Sequence, residues 1–142
     1  MKQRILVIAN ETVAAGELYQ SLRGRAAHVV VVVPALNSRL RHWISDEDAA
    51  RRAAAIRLGH CLEQLARAGI RGEGWVGDAD PLLAIGDGLH FFDADEIVIA
   101  THPPGRSHWL ERDLVRRARV RYAKPIRHIV VRPTPEEELR AA

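Results

Sequence analysis

The chain is predicted to form an α/β fold with a parallel, doubly wound sheet, and three observations predict it. Strand and helix patterns alternate along the whole sequence, in the order β-α-β-α-β-α-β-α-β. Strands separated by helices must run parallel, and right-handed crossovers then place helices on both faces of one sheet. Arg4–Ala9 and Ala27–Val33 are short continuous apolar runs, as expected of strands covered on both sides.

Each element has its own local reason. Arg4–Ala9 is the first strand. Val13–Arg23 reads as a helix, with Thr12 as N-cap, Leu18 and Leu22 one turn apart, and Gly24 just past the end. Ala27–Val33 holds five consecutive valines, whose β-branching suits a pleated, buried strand, and Pro34 ends it. The irregular segment Pro34–Ile44 contains Trp43. Ser45, with Asp48 three residues on, resembles a capping box and opens a long helix to about Ala68, closed by Gly69. Ile56, Leu58, Leu62 and Leu65 are read as its apolar stripe.

Ile70–Val76 is more polar and reads as an edge strand. Asp80-Pro81 starts the next helix, with Asp as N-cap and Pro at the first helical position, where its missing N–H costs nothing. That helix, Leu82–His90, is weakened by Gly86 and Gly88, which either allow close packing or mark an early end. Glu96–Ala100 is the fourth strand. Ser107 caps the helix His108–Arg119, where Leu110, Leu114, Ala118 and Tyr122 recur every four residues. Arg127–Arg132 is the fifth strand. Residues 1–132 form one domain, followed by a charged tail, 133–142.

Composition narrows the classes of function. The 142 residues carry a net charge of +3, and 47% of them are hydrophobic, enough for a real core in one domain. No apolar run is long enough to span a bilayer. The opening Met1–Asn10 is too short in its apolar part for an export signal. The single cysteine, Cys61, cannot form an internal disulfide, so a reducing cytoplasm is the expected location. Arginines cluster late, at Arg112, Arg116, Arg117, Arg119, Arg121 and Arg127, with Lys124. With no interleaved aromatic platform and no nucleic-acid motif, they read as a solvated helix face, and neither nucleic acid nor membrane is expected as a partner.

The richest stretch is Asp95–Val115: a buried strand, a tight turn through His102-Pro103-Pro104-Gly105-Arg106-Ser107, and a helix. In open α/β folds such a junction offers free N–H groups to anions. Metal binding by His102 and His108 lacks a cysteine or carboxylate at ligand spacing. Ser107 beside His108 is not a nucleophile–base pair, because adjacent helical side chains point apart. Cys61 on the long helix reads as packing, and Asp78 and Asp80 read as turn and cap. No catalytic constellation emerges, so no enzyme is expected. Trp43 and Trp109 border the crevice at the carboxyl ends of the strands, and the glycine-poor turn favours their plugging it over their lining a ligand.

Four segments together resemble the universal stress protein family: Ile5-Leu-Val-Ile-Ala-Asn10; Gly77-Asp-Ala-Asp-Pro81 with Leu83-Ala84-Ile85; Asp95-Glu-Ile-Val-Ile-Ala-Thr-His102; and Lys124-Pro-Ile-Arg-His-Ile-Val-Val131. The resemblance covers about the first 132 residues. It implies a five-stranded parallel sheet in the order 3-2-1-4-5 and a homodimer through the last strand. Many members bind ATP through G-x2-G-x9-G-[ST], beginning at the end of the fourth strand, with an aspartate ending the first. Here those positions hold Ala100, Pro103, Asp113, Leu114 and Asn10, so all five depart from the pattern. Pro103 has no N–H, and a charge-assisted hydrogen bond is worth about 1.5–3 kcal/mol. Asp113 sets a negative charge where phosphate is expected, costing roughly 1 kcal/mol in water and about 4 kcal/mol at an effective dielectric near 20.

The expectation is therefore a non-catalytic, stress-response protein with no cofactor, which does not bind ATP in the usual family way. It would act through protein contacts or a small anionic ligand. The alternative is divergent ATP or AMP binding. In either case the candidate binding residues are Asn10, Ala100, Thr101, His102, Gly105, Arg106 and Ser107.

Overall fold

The structure, a computed structural model, describes residues 3–9, 16–35, 47–101 and 108–130. At Gly16, Glu17, Ala27, Glu47 and His108–Arg112 only the backbone is described. Among the described residues five strands alternate with four helices: β1 (Gln3–Ala9), α1 (Gly16–Leu22), β2 (Ala26–Pro34), α2 (Glu47–Arg67), β3 (Gly72–Gly77), α3 (Pro81–Phe91), β4 (Glu96–Thr101), α4 (His108–Arg121) and β5 (Ile126–Val130). The strands form one parallel sheet in the order β3-β2-β1-β4-β5. The fold class is the one expected from the sequence pattern, and the strand order is the one the family resemblance implies.

Alternation along the strands divides the core in two. Ile5, Val7, Val29, Val31, Val33 and Val98 meet α1 and α2 through Leu18, Leu22, Ala54, Leu58, Cys61 and Leu65. Leu6, Ile8, Val30, Val32, Ile97 and Ile99 meet α3 and α4 through Leu82, Ile85, Leu114, Val115 and Ala118. The valine run thus supplies both layers from the second-to-edge strand.

Several boundaries and one helix face differ from expectation. Ile56 is 63% exposed. The buried face of α2 is Ala50, Ala54, Leu58, Cys61 and Leu65, at spacings of four and three, and Ile56 lies opposite Leu58, two residues or about 200° away. β3 begins at Gly72, because Ile70 belongs to the end of α2. Gly69 takes φ 76°, its N–H donates to the Ala66 carbonyl, and the Ile70 N–H donates to Leu65 O at 2.9 Å, a Schellman closure. α3 continues through Gly86 and Gly88 to Phe91, which resolves their purpose as close packing. A Cβ at Gly86 would sit 2.8 Å from the Tyr122 hydroxyl, and one at Gly88 would sit 3.0 Å from both Leu6 methyls. α4 runs to Arg121 and β5 starts at Ile126. Asp80 caps α3 as predicted, its Oδ1 accepting from Leu82 N at 2.9 Å. Gly24, with φ 84°, follows α1. Thr12, Ser45, Ser107 and the 133–142 tail lie outside the described residues.

The amino ends of the strands are closed by charge. Glu96, only 7% exposed at the start of β4, accepts hydrogen bonds from Arg25 and Arg127. The Arg25 Nε also donates to Ser21 O at 2.6 Å, tying the end of α1 to the same group.

Candidate functional site

The crevice of this fold lies at the opposite, carboxyl end of the strands. Its described rim consists of Ala9, Pro34, Gly77, Thr101 and Val130, one from the end of each strand, with Ala35 just past β2. Of the seven candidate residues, Ala100 and Thr101 are described, side by side at the end of β4. Asn10, His102, Gly105, Arg106 and Ser107 lie outside the described residues, as do Pro103 and Trp43. The side chains of His108 and Trp109 are likewise not described.

Ala100 is 2% exposed, in register between Ala9 of β1 and Ile129 of β5, and packs against Ile129. Its methyl is therefore part of the wall. Thr101 is 3% exposed on the α3/α4 side of the sheet. Its Oγ1 shares a 2.5 Å hydrogen bond with His128 Nε2. The hydroxyl donates when the ring proton sits on Nδ1, and the ring donates in the other tautomer. Burial first, and the positive charge of Arg119 second, hold His128 below the ordinary histidine value, which favours a neutral ring. The Thr101 hydroxyl thus already has an internal partner. Sequence reading missed His128. The only available signal was a polar residue at an inward position of the last strand, and the register that sets it diagonal to Thr101 comes from the β4–β5 pairing.

Asp113 and Leu114 fall in the second turn of α4, which begins at His108. Leu114 is 8% exposed in the core. The Asp113 carboxylate is paired with Arg116 at 2.5 Å and with Arg117 at 3.9 Å. This corrects the simple charge argument: Asp113 is not a lone anion facing the turn. At this depth its backbone N–H is bound within the helix, and the free donors are those of the first turn.

The late basic cluster is largely occupied internally. Besides those two pairs, Arg121 lies 5.9 Å over the Tyr122 ring, Lys124 meets Asp93 at 3.3 Å, and Arg127 meets Glu96 at 3.1 Å. Asp78 accepts from Asp80 N at 2.9 Å, so both aspartates serve the turn before α3. Cys61 is buried and hydrogen-bonded to Tyr19, and burial pushes its thiol up to about 12, the state of an inert packing residue. Among the described residues no group of His, Cys, Asp or Glu could hold a metal ion, and no helix is long and apolar enough to cross a membrane.

The chain matches no family model, and no curated protein matches it in sequence. Its fold is similar to solved structures. The universal stress protein of Archaeoglobus fulgidus is 20% identical, with TM-score 0.61, over 91% of this chain and 98% of that one. A universal stress protein from Archaeoglobus fulgidus in complex with dAMP is 21% identical, with TM-score 0.60, over 91% of this chain and 99% of that one. A universal stress protein family protein of Arabidopsis thaliana with AMP bound is 11% identical, with TM-score 0.57, over 94% of each chain. The chain has the fold of universal stress proteins.

Proposed function

We propose that this chain is a single-domain universal stress protein, residues 1–132 with a charged tail, that works in the cytoplasm without catalytic turnover and does not hold ATP in the usual family way. It acts through protein contacts or a small anionic ligand. One observation carries this reading. β4 ends at Thr101 and α4 begins at His108, so the last two positions of the ATP signature fall inside a regular helix. There Leu114 serves the core and Asp113 serves two arginines. The engaged hydroxyl of Thr101 and the wall methyl of Ala100 support the same reading. Dimerisation through β5 fits the place of that strand at the sheet edge, with Val130 36% exposed.

Calorimetry with magnesium and ATP tests it: no micromolar, magnesium-dependent binding is expected, and such binding would overturn the proposal. A second reading, binding of a nucleoside monophosphate, is favoured by the AMP and dAMP held in similarly folded proteins. A thermal-shift series with AMP decides it, since a ligand at about 100 times its Kd adds roughly 2.7 kcal/mol of stability.

A further inference from the structure

Among the described residues, β3 ends the sheet on the side away from β5. The Val29 N–H donates to Arg71 O and the Ala35 N–H donates to Gly77 O, which fixes the phase of the β2–β3 ladder. Odd-numbered residues of β3 face β2, so Gly72, Gly74 and Val76 turn their N–H and C=O groups to the open side. The strand carries no proline, lysine or bulge, the usual devices that blunt such an edge.

The two shoulders of this edge differ in chemistry. On the α2 side Leu62 lies beside Gly72, and the shoulder is apolar. On the α3 side the Trp75 ring stands 6.3 Å from that of Phe91, edge to face, and Phe91 is 77% exposed. Glu73 shares the face of Trp75 with its side chain 66% exposed, although paired with His28. Asp87 is exposed one helical turn before Phe91. Exposed Asp78 follows the strand, exposed Arg71 precedes it, and the His90 ring stands 5.1 Å from that of Phe91. In a chain of net charge +3, this is an acidic, aromatic corner.

We propose that the edge of β3 that no described strand pairs accepts a further strand: an extended, basic segment of another protein. Main-chain bonds to Gly72, Gly74 and Val76 hold the segment in register, as in other strand additions. A cationic side chain lies against Trp75 and Phe91, between the Glu73 and Asp87 carboxylates, where ring faces and charge act together. The neighbouring residue of the segment, pointing to the opposite face, meets the apolar α2 shoulder.

The test uses the full chain and a fluorescein-labelled peptide of alternating lysine and valine, with an alternating glutamate–valine peptide as control. Anisotropy should show binding of the lysine peptide only. Amide signals of Gly72, Gly74 and Val76 should gain exchange protection when it is added. Val76→Pro removes an outward N–H without touching the β2 ladder and should weaken binding about tenfold. Phe91→Ala, at an exposed position that leaves the core intact, should weaken it roughly three- to tenfold. The proposal is overturned if neither variant changes binding, if the glutamate peptide binds equally, or if no binding appears at millimolar peptide. It is also overturned if those amides are already protected in a concentration-dependent way, since a second copy would then occupy the edge.

Discussion

Glu96 receives both arms of the Arg25 guanidinium across 71 residues of chain, Nη1 donating to Oε2 at 2.8 Å and Nη2 to Oε1 at 3.2 Å. Bidentate pairing of this kind is among the stronger polar contacts. Its carboxylate side chain is 9% exposed, whereas that of Arg127, the second partner, is 55% exposed. Glu96→Ala strands Arg25 without its anion and should cost about 3 kcal/mol. Arg127→Ala removes a mostly solvated partner and should cost no more than about 1 kcal/mol. Urea midpoints of the two variants check the ranking, and equal losses would refute it.

Gly74→Ala should be among the most damaging substitutions in the sheet. Its β-carbon would overlap the Val31 carbonyl oxygen and lie 2.9 Å from a Leu58 methyl. The first of these is backbone, which cannot swing aside, so a loss of about 3 kcal/mol or failure to fold is expected. Gly86→Ala meets only the tip of Tyr122, which donates to Leu82 O at 2.8 Å. The loss of that bond, about 1 kcal/mol, is offset by the better helix propensity of alanine, so the net change should be small. Equal denaturation midpoints for the two variants would contradict this account.

Stability should depend on His128 as pH falls below about 6.5. Its folded pKa lies below the unfolded 6.5. The unfolded chain therefore binds the proton first as pH falls. Above about 6.5 the ring is neutral in both states and the native contacts are fully kept. Stability drops as pH falls from there through the lowered folded value, then levels. His128→Gln should flatten this part of the curve relative to the parent, and unchanged slopes would rule the assignment out.

Cys61 should resist a neutral alkylating reagent at pH 8 in the native protein and react on denaturation. Its thiol, pushed up to about 12 by burial, is almost wholly protonated there. Rapid native labelling detected by mass would contradict the packing role.

Asp113→Gly combined with Pro103→Gly should not restore ATP binding by supplying a backbone donor at position 113. That residue lies in the second turn of α4, and glycine there costs about 1 kcal/mol of helix propensity besides the Arg116 and Arg117 pairs. A gain of micromolar ATP affinity in the double variant would show that the helix starts later than His108.

The fold was legible because its signals are local. Asp80-Pro81, Gly24, Gly69 and the valine run each state a backbone requirement that tertiary packing did not need to override. The α2 face departs from the sequence pattern at Ile56 because the buried face leans on Ala50 and Ala54, and alanines give little hydrophobic signal. Glu96 could be placed at the start of a strand but not in its ion pairs, since Arg25 and Arg127 reach it from distant segments. The site was the least legible part. Thr101 was named, but its partner His128 depends on the register of two parallel strands, which periodicity does not contain.

Three of the six positions in β3, Gly72, Gly74 and Gly77, are crowded by α2, β2 or α3 wherever a β-carbon would go. Bulky or charged replacements are closed to them. Whatever within the strand itself discourages these molecules from sticking margin to margin is then written into Glu73, Trp75 and Val76, so a single change at Glu73 bears directly on solubility.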